Sequence, residues 1–210
     1  MGRSVGSGTA LAGGSGGWHD DGMGHVLAQV NIGRLRAPLD SPRLADFMAA
    51  LDPVNALADA APGFVWRLQT EDGNATAVHA FEWDQAGSAG VIMNMSVWES
   101  PEALAAFVSS AGHRRVLRRR REWFEPMTEA YTALWWIPQG TVPTPADAEW
   151  RIRRLRAHGP TPDAFTLRVL FPPPGTGGQS RRSSSSWIRS SATATARKNT
   201  SSCPGATSTP

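Results

Sequence analysis

Two Ser-Pro pairs constrain the fold of this chain more than any other feature. Ser41-Pro42 and Ser100-Pro101 each follow a run of alternating polar and apolar residues, and each opens a stretch rich in Ala and Leu. A serine oxygen can take an unpaired amide of a first helical turn, and proline is tolerated there because its missing N–H has no partner to lose. Each pair therefore predicts a strand that hands over to a helix. In HVLAQVNIG, residues 25–33, Val26, Ala28, Val30 and Ile32 share one face and His25, Leu27, Gln29 and Asn31 the other. In VIMNMSVW, residues 91–98, Val91, Met93, Met95 and Val97 oppose Ile92, Asn94, Ser96 and Trp98. The first helix has apolar residues at 44, 47, 48 and 51; Pro53 is expected to break or restart it and Pro62-Gly63 to end it. FVWRLQT (64–70) and TAVHAFEW (76–83) flank EDGNA, whose Asp-Gly and Asn suit the positive φ of a tight turn, so a hairpin is predicted. The Arg-rich stretch continues the second helix after an interruption at Gly112, and YTALWWIP (131–138) reads as a last strand. The order strand, helix, hairpin and strand, helix, strand is that of a ferredoxin-like split βαβ α+β domain with an antiparallel sheet. A C-terminal extension starts at about 141, with a short helix beginning near Thr144 or Thr141 and an extended segment DAFTLRVLF.

Composition divides the 210 residues into three. The Gly-rich residues 1–23 and the Ser/Thr/Pro/Arg-rich residues 172–210 have too little apolar surface to offset the entropy of ordering, and both are expected to be disordered. The domain is expected over 24–171. The tail fits either a native linker or a frameshifted reading of another C-terminus. The formal charge of +3 belongs to that tail: residues 24–171 hold fifteen Arg and no Lys against sixteen Asp and Glu, whereas 172–210 hold five basic residues and no acidic one. A nucleic-acid partner is therefore not expected. The single cysteine, Cys203, lies in the tail, and no apolar run of bilayer length occurs, so the reading is a soluble cytoplasmic protein without a disulfide framework, membrane segment or thiolate metal site. GGSGG (13–17) matches Gly-x-Ser-x-Gly but lacks the strand and helix that would expose a nucleophile.

The segment SVWESPEALAAFVSSAGHRRVLRRRREWFEP carries a family likeness, with LAQVNIGRLRAPLDSP before it and AEWRIRRLRAHGPTPDAFTLRVLFP after it. Over roughly residues 25–172 the chain resembles the uncharacterised bacterial family known as domain of unknown function 3291. It resembles more distantly the antibiotic-biosynthesis-monooxygenase group of dimeric α/β barrels. The resemblance implies a ferredoxin-like protomer that pairs sheet to sheet with a second copy as a homodimer. The wider group includes cofactor-free oxygenases of polycyclic phenols, haem-degrading enzymes, isomerases and members without known activity, so the fold constrains function weakly.

GHRRVLRRRREWFEP, residues 112–126, places six arginines in eight positions. On a helical wheel His113, Val116, Leu117, Arg120, Trp123 and Phe124 share one arc. The other five arginines read as a solvated face, with Glu122 and Glu125 placed four residues after Arg118 and Arg121. A guanidinium on an apolar arc must snorkel, pair, or bind an anion in a cavity, which singles out Arg120. His113 is a structural imidazole, a general base or, as in haem-degrading members of the wider group, a haem ligand. On the sheet, Gln29, Asn31, Asn94, Ser96 and Trp98 line either a pocket or a partner sheet, while the opposite, apolar face is the expected seat of the helices. Asn31 matches a position that the oxygenase members use to hold substrate. The candidate catalytic set is thus Arg120 to stabilise an anion, Asn31 to orient it and His113 to move a proton. Asn94, Ser96, Trp98, Trp123 and Phe124 are the candidate substrate contacts. The expected partner is an apolar small molecule, oxidised without a cofactor, with a dimeric scaffold or a haem protein as alternatives.

Overall fold

In the computed structural model, which describes residues 24–85 and 87–175, four antiparallel strands form one sheet. The strands are β1 (His25–Arg34), β2 (Phe64–Arg67), β3 (Val91–Trp98) and β4 (Thr132–Pro138), in the order β2-β3-β1-β4. The helices are α1 (Ala45–Asp59), α2 (Pro101–Ser109), α3 (Ala111–Trp123) and α4 (Pro145–His158). This is the ferredoxin-like α+β arrangement, with its second helix split in two and α4 added. The expectations for residues 1–23 and for most of the tail, Cys203 included, lie outside the described residues.

Three of the four helices start on side-chain caps. Ser100 Oγ accepts from Ala103 N, Ser110 Oγ from His113 N, and Thr144 and Asp147 cap each other's backbone at the start of α4. Ser41 makes no such bond; a short 3-10 turn, Pro42–Leu44, leads into α1 instead. The expected break at Pro53 does not occur, since α1 runs through it to Asp59. Pro53 lies on the exposed face, where solvent can take up the carbonyl that loses its intrahelical partner. The interruption placed at Gly112 falls at Ser110, whose extended backbone ends α2 while its hydroxyl starts α3. Gly112 is helical and is required for packing: a Cβ there would stand 2.5 Å from Leu57 Cδ1 on α1.

The predicted hairpin is also corrected. β2 is only four residues long and pairs with β3, and residues 76–83 form no strand. Asn74 Oδ1 accepts from Thr76 N at 2.9 Å, and Arg67 Nη1 donates to the Gly73 carbonyl at 2.7 Å. These bonds tie the turn to itself and to β2 in place of a ladder. The chain then crosses the sheet and buries Phe81, which has a left-handed backbone at φ 60°. Its N–H donates to Glu149 Oε1 at 2.7 Å, and Trp83 Nε1 donates to Glu149 Oε2 at 2.9 Å. DAFTLRVLF is likewise turns and single bridges, of which the bridge from Phe165 to Leu134 lies along β4.

The two faces of the sheet are covered in the opposite sense to that expected. Val26, Ala28, Val30 and Ile32 of β1 join Met93, Met95 and Val97 of β3 in a core with Ala148, Ile152 and Leu155 of α4, and with Phe81. α4 and the 76–84 segment therefore close the apolar face. The face that bears Gln29, Asn31, Asn94 and Ser96 lies under α1, α2 and α3. Both faces of the sheet are therefore covered by the chain's own elements among the described residues. Trp135 and Trp136 project to opposite faces, Trp135 into the α4 core and Trp136 toward Phe165, with its Nε1 donating to the Phe171 carbonyl at 2.7 Å.

Candidate functional site

A cavity of about 440 Å³ separates the polar face of the sheet from α1, α2 and α3. All eight candidate site residues line it: Asn31, Asn94, Ser96, Trp98, His113, Arg120, Trp123 and Phe124. The pairing register explains the sheet side. Asn31 stands opposite Asn94 on β3 and Thr132 on β4, and Gln29 opposite Ser96 and Leu134, so two polar rows cross the cavity floor.

The rows differ in depth. Gln29, Ser96 and Trp98 are buried, whereas Asn31, Asn94 and Arg120 are exposed and mark the mouth. Both helices that span the cavity run between these ends. Phe47, early in α1, packs on Trp123 with ring centroids 5.5 Å apart and on Phe124 at 5.1 Å, late in α3. Leu57, late in α1, meets Gly112, early in α3. The inner end is aromatic: Trp98 stacks on Phe107 at 5.1 Å, Phe64 meets Trp98 edge-on, and Phe107 lies 4.8 Å from the His113 ring. A hydrogen-bond chain fixes the floor, from Trp98 Nε1 to Ser96 Oγ at 2.9 Å and from Ser96 Oγ to Gln29 Oε1 at 2.9 Å.

The three proposed catalytic residues are not brought to one point. His113 and Arg120 are seven residues apart on α3, which at 1.5 Å per residue is about 10 Å along the axis. Asn31, at the mouth, donates to Thr132 Oγ1 at 3.2 Å. His113 Nδ1 contacts the Val108 carbonyl at 3.2 Å. That contact makes Nδ1 the protonated nitrogen and leaves Nε2 as an acceptor without a protein partner. Burial pushes the His113 pKa below its usual value, more than the Val108 carbonyl raises it. Its neutral form is therefore favoured by folding, and this preference is lost as pH falls below the ordinary histidine value of about 6.5. The expected result is a denaturant midpoint that drops as pH falls below about 6.5 in the wild-type chain and drops less in His113→Leu.

The Arg-rich helix face is solvated as expected, with Arg114, Arg115, Arg118, Arg119 and Arg121 all exposed. The expected ion pairs from Arg118 and Arg121 are replaced by others. Arg119 binds Glu122 at 2.8 Å and Asp46 at 2.6 Å, and Glu125 pairs with Arg36 at 3.2 Å. Arg119 reaches Asp46 because α1 lies beside it, a contact that spacing within one helix does not contain. Arg120 makes no side-chain hydrogen bond or ion pair among the described residues. Among the described residues no Asp or Glu lines the cavity, and its other arginine, Arg67, is neutralised by Asp59 at 2.8 Å.

Two cavity residues were not assigned a role from sequence. Gln29 was placed on the right face, and its exposure of only 7% makes it the centre of the floor. Asn55, 8% exposed, lies on α1 opposite. Its signal was present: 55 continues the apolar spacing of 44, 47, 48 and 51, so an amide at that position faces inward. Among the described residues no group of three or more His, Cys, Asp or Glu is placed to hold a metal ion, and no helix is long and apolar enough to cross a membrane.

Among solved structures the chain is similar to PA3566 from Pseudomonas aeruginosa, at 12% identity over 57% of this chain and 98% of that one, with a TM-score of 0.37. It is similar to Rv0793 from Mycobacterium tuberculosis at 14% identity over 57% and 99% of the two chains, with a TM-score of 0.36. A candidate antibiotic biosynthesis monooxygenase from Chloroflexus aurantiacus is 15% identical over 57% and 97%, with a TM-score of 0.33. No curated protein matches the chain. The sequence model described as Domain of unknown function (DUF3291) matches residues 26–181, and the chain belongs to that family.

Proposed function

We propose that this protein binds an apolar, aromatic small molecule in the cavity beneath α1–α3 and acts on it as a monooxygenase-like enzyme that uses dioxygen without a bound cofactor. The observation that carries this reading is the cavity itself: about 440 Å³, walled by Trp98, Phe107, Trp123 and Phe124, with a few fixed polar groups. Volume and lining of this kind suit a small organic ligand. A packed, dry Arg120 would favour a non-catalytic scaffold. Arg120 is instead exposed, unpaired and at the mouth of an open space.

The chemistry follows from the separation of the two ends. His113 Nε2, the available base, would take a proton from a phenol or enol held at the inner end. Arg120, with Asn31, would hold an anionic group of the ligand at the mouth, rather than share one reacting atom with His113. Oxygen consumption with a panel of phenols tests the reading, alongside binding of the neutral fluorophore Nile red. Ala50→Trp, which fills the cavity from the half-buried face of α1, is expected to weaken Nile red binding by about tenfold or more, equivalent to about 1.4 kcal/mol, and to abolish oxygen consumption without lowering the thermal midpoint. Unchanged binding in that variant would overturn the assignment. A Soret absorption band in the purified protein would assign the cavity to haem instead.

A further inference from the structure

The cavity has two chemically distinct poles, and the groups at each specify a ligand more narrowly than an apolar aromatic. At the mouth stands a guanidinium, Arg120, that has no partner and no carboxylate beside it on the lining among the described residues. That pole attracts an anion, and its planar fork suits a carboxylate. At the inner pole the groups are neutral and their hydrogen-bonding roles are fixed by the protein. Gln29 Oε1 is taken by Ser96, so its Nε2 is left to donate. His113 Nδ1 is taken by Val108, so its Nε2 is left to accept. Asn55 makes no side-chain hydrogen bond and is 8% exposed, and Gln29 is 7% exposed. The free amide groups of both therefore stand ready to bond a ligand in the cavity.

We infer that the ligand is an elongated aromatic acid whose carboxylate sits at Arg120 and whose far end carries a hydroxyl held by Gln29, Asn55 and His113. A hydroxyl is the neutral group that accepts and donates through one atom, as Gln29 and His113 require. The two turns of α3 between His113 and Arg120 separate their backbones by about 10 Å along the axis, which calls for an elongated ligand. This rests on the small-molecule reading of the cavity and adds the polarity and length of the ligand.

The test uses the full chain and three fluorescent probes: 6-hydroxy-2-naphthoate, 2-naphthoate, which lacks the hydroxyl, and methyl 6-hydroxy-2-naphthoate, which lacks the charge. The hydroxy acid is expected to bind at least about fivefold more tightly than either relative. Arg120→Ala is expected to weaken the two acids about tenfold and leave the ester unchanged. Asn55→Leu is expected to remove the advantage of the hydroxy acid over 2-naphthoate while 2-naphthoate itself binds as before. Should Asn55→Leu fold poorly, the comparison of the three probes on the wild-type chain decides by itself. Equal binding of the three, or no binding of any while Nile red still binds, overturns the two-pole inference and leaves the cavity reading standing. Loss of Nile red binding as well would overturn both.

Discussion

Replacing Asp84 by alanine is expected to destabilise the domain by about 3–5 kcal/mol, the range for removing one partner from a buried ion pair. Asp84 is 5% exposed and receives Arg34 Nη2 at 2.7 Å, Arg156 Nη1 at 2.7 Å and Arg156 Nη2 at 3.0 Å. Arg34 belongs to β1 and Arg156 to α4, so one carboxylate joins the sheet, the last helix and the 82–84 turn. Truncating it takes from Arg156 its carboxylate and leaves Arg34 only Glu129, at 3.6 Å, and that uncompensated burial, rather than the lost attraction, dominates the cost. It also frees the turn that holds Phe81 in a backbone region unfavourable for a bulky residue. Denaturant unfolding should show a lower midpoint with an unchanged slope. Burial pushes the Asp84 carboxyl up, but the hydrogen bonds from Arg156 and Arg34 outweigh this and hold it below its ordinary value. Its contribution is therefore present above the unfolded carboxylate value of about 3.9 and is lost as pH falls through the lower folded value. Retention of full stability in Asp84→Ala at pH 7 would contradict the clamp.

Trp98→Ala is expected to cost a similar amount, about 3–5 kcal/mol, and to weaken ligand binding as well. Trp98 is 1% exposed, stacks on Phe107 and meets Phe64 edge-on. Its loss removes an inner wall of the cavity and leaves Phe107, and through it the His113 ring, without backing. Trp98→Phe separates the two effects. It keeps a ring against Phe107 but loses the bond from Nε1 to Ser96, for which a cost of about 1 kcal/mol is expected. Thermal unfolding and Nile red titration of the pair measure both. A destabilised Trp98→Ala that binds Nile red as tightly as the wild-type chain would show that this wall plays no part in recognition.

The readable parts of this fold were those set by short-range rules. Strand alternation in 25–33 and 91–98, and Pro101 behind Ser100, specify β1, β3 and α2 because pleat and cap geometry involve only neighbours in the chain. The inner arc of α3 was legible for the same reason: helical spacing alone puts His113, Val116, Leu117 and Arg120 on one side, where the cavity lies. What failed depended on remote partners. Residues 76–83 have strand-like composition, yet Glu149, far along the chain, takes the Phe81 amide that a hairpin would have used. The apolar face of β1 was assigned to α1–α3 because the pattern says which side is buried and not by what, and α4 took that place. Arg119 was not distinguished from its neighbours because Asp46, its partner, lies on another helix. Of the two cavity residues left without a role, Gln29 and Asn55, the second needed its position in the α1 stripe to be weighed as an inward-facing amide.

The covering of the sheet by α4 has an evolutionary and practical consequence. The helix that covers the apolar face comes after β4, whereas the three helices that roof the cavity all precede it. Substitutions along Ala148, Ile152 and Leu155 act on one side of a four-stranded partition, and substitutions along Asn55, Val116 and Arg120 act on the other. Durability and ligand preference can thus diverge with little mutual penalty, which makes the domain a scaffold whose specificity can be retuned from α1 and α3 while α4 carries the stabilising changes.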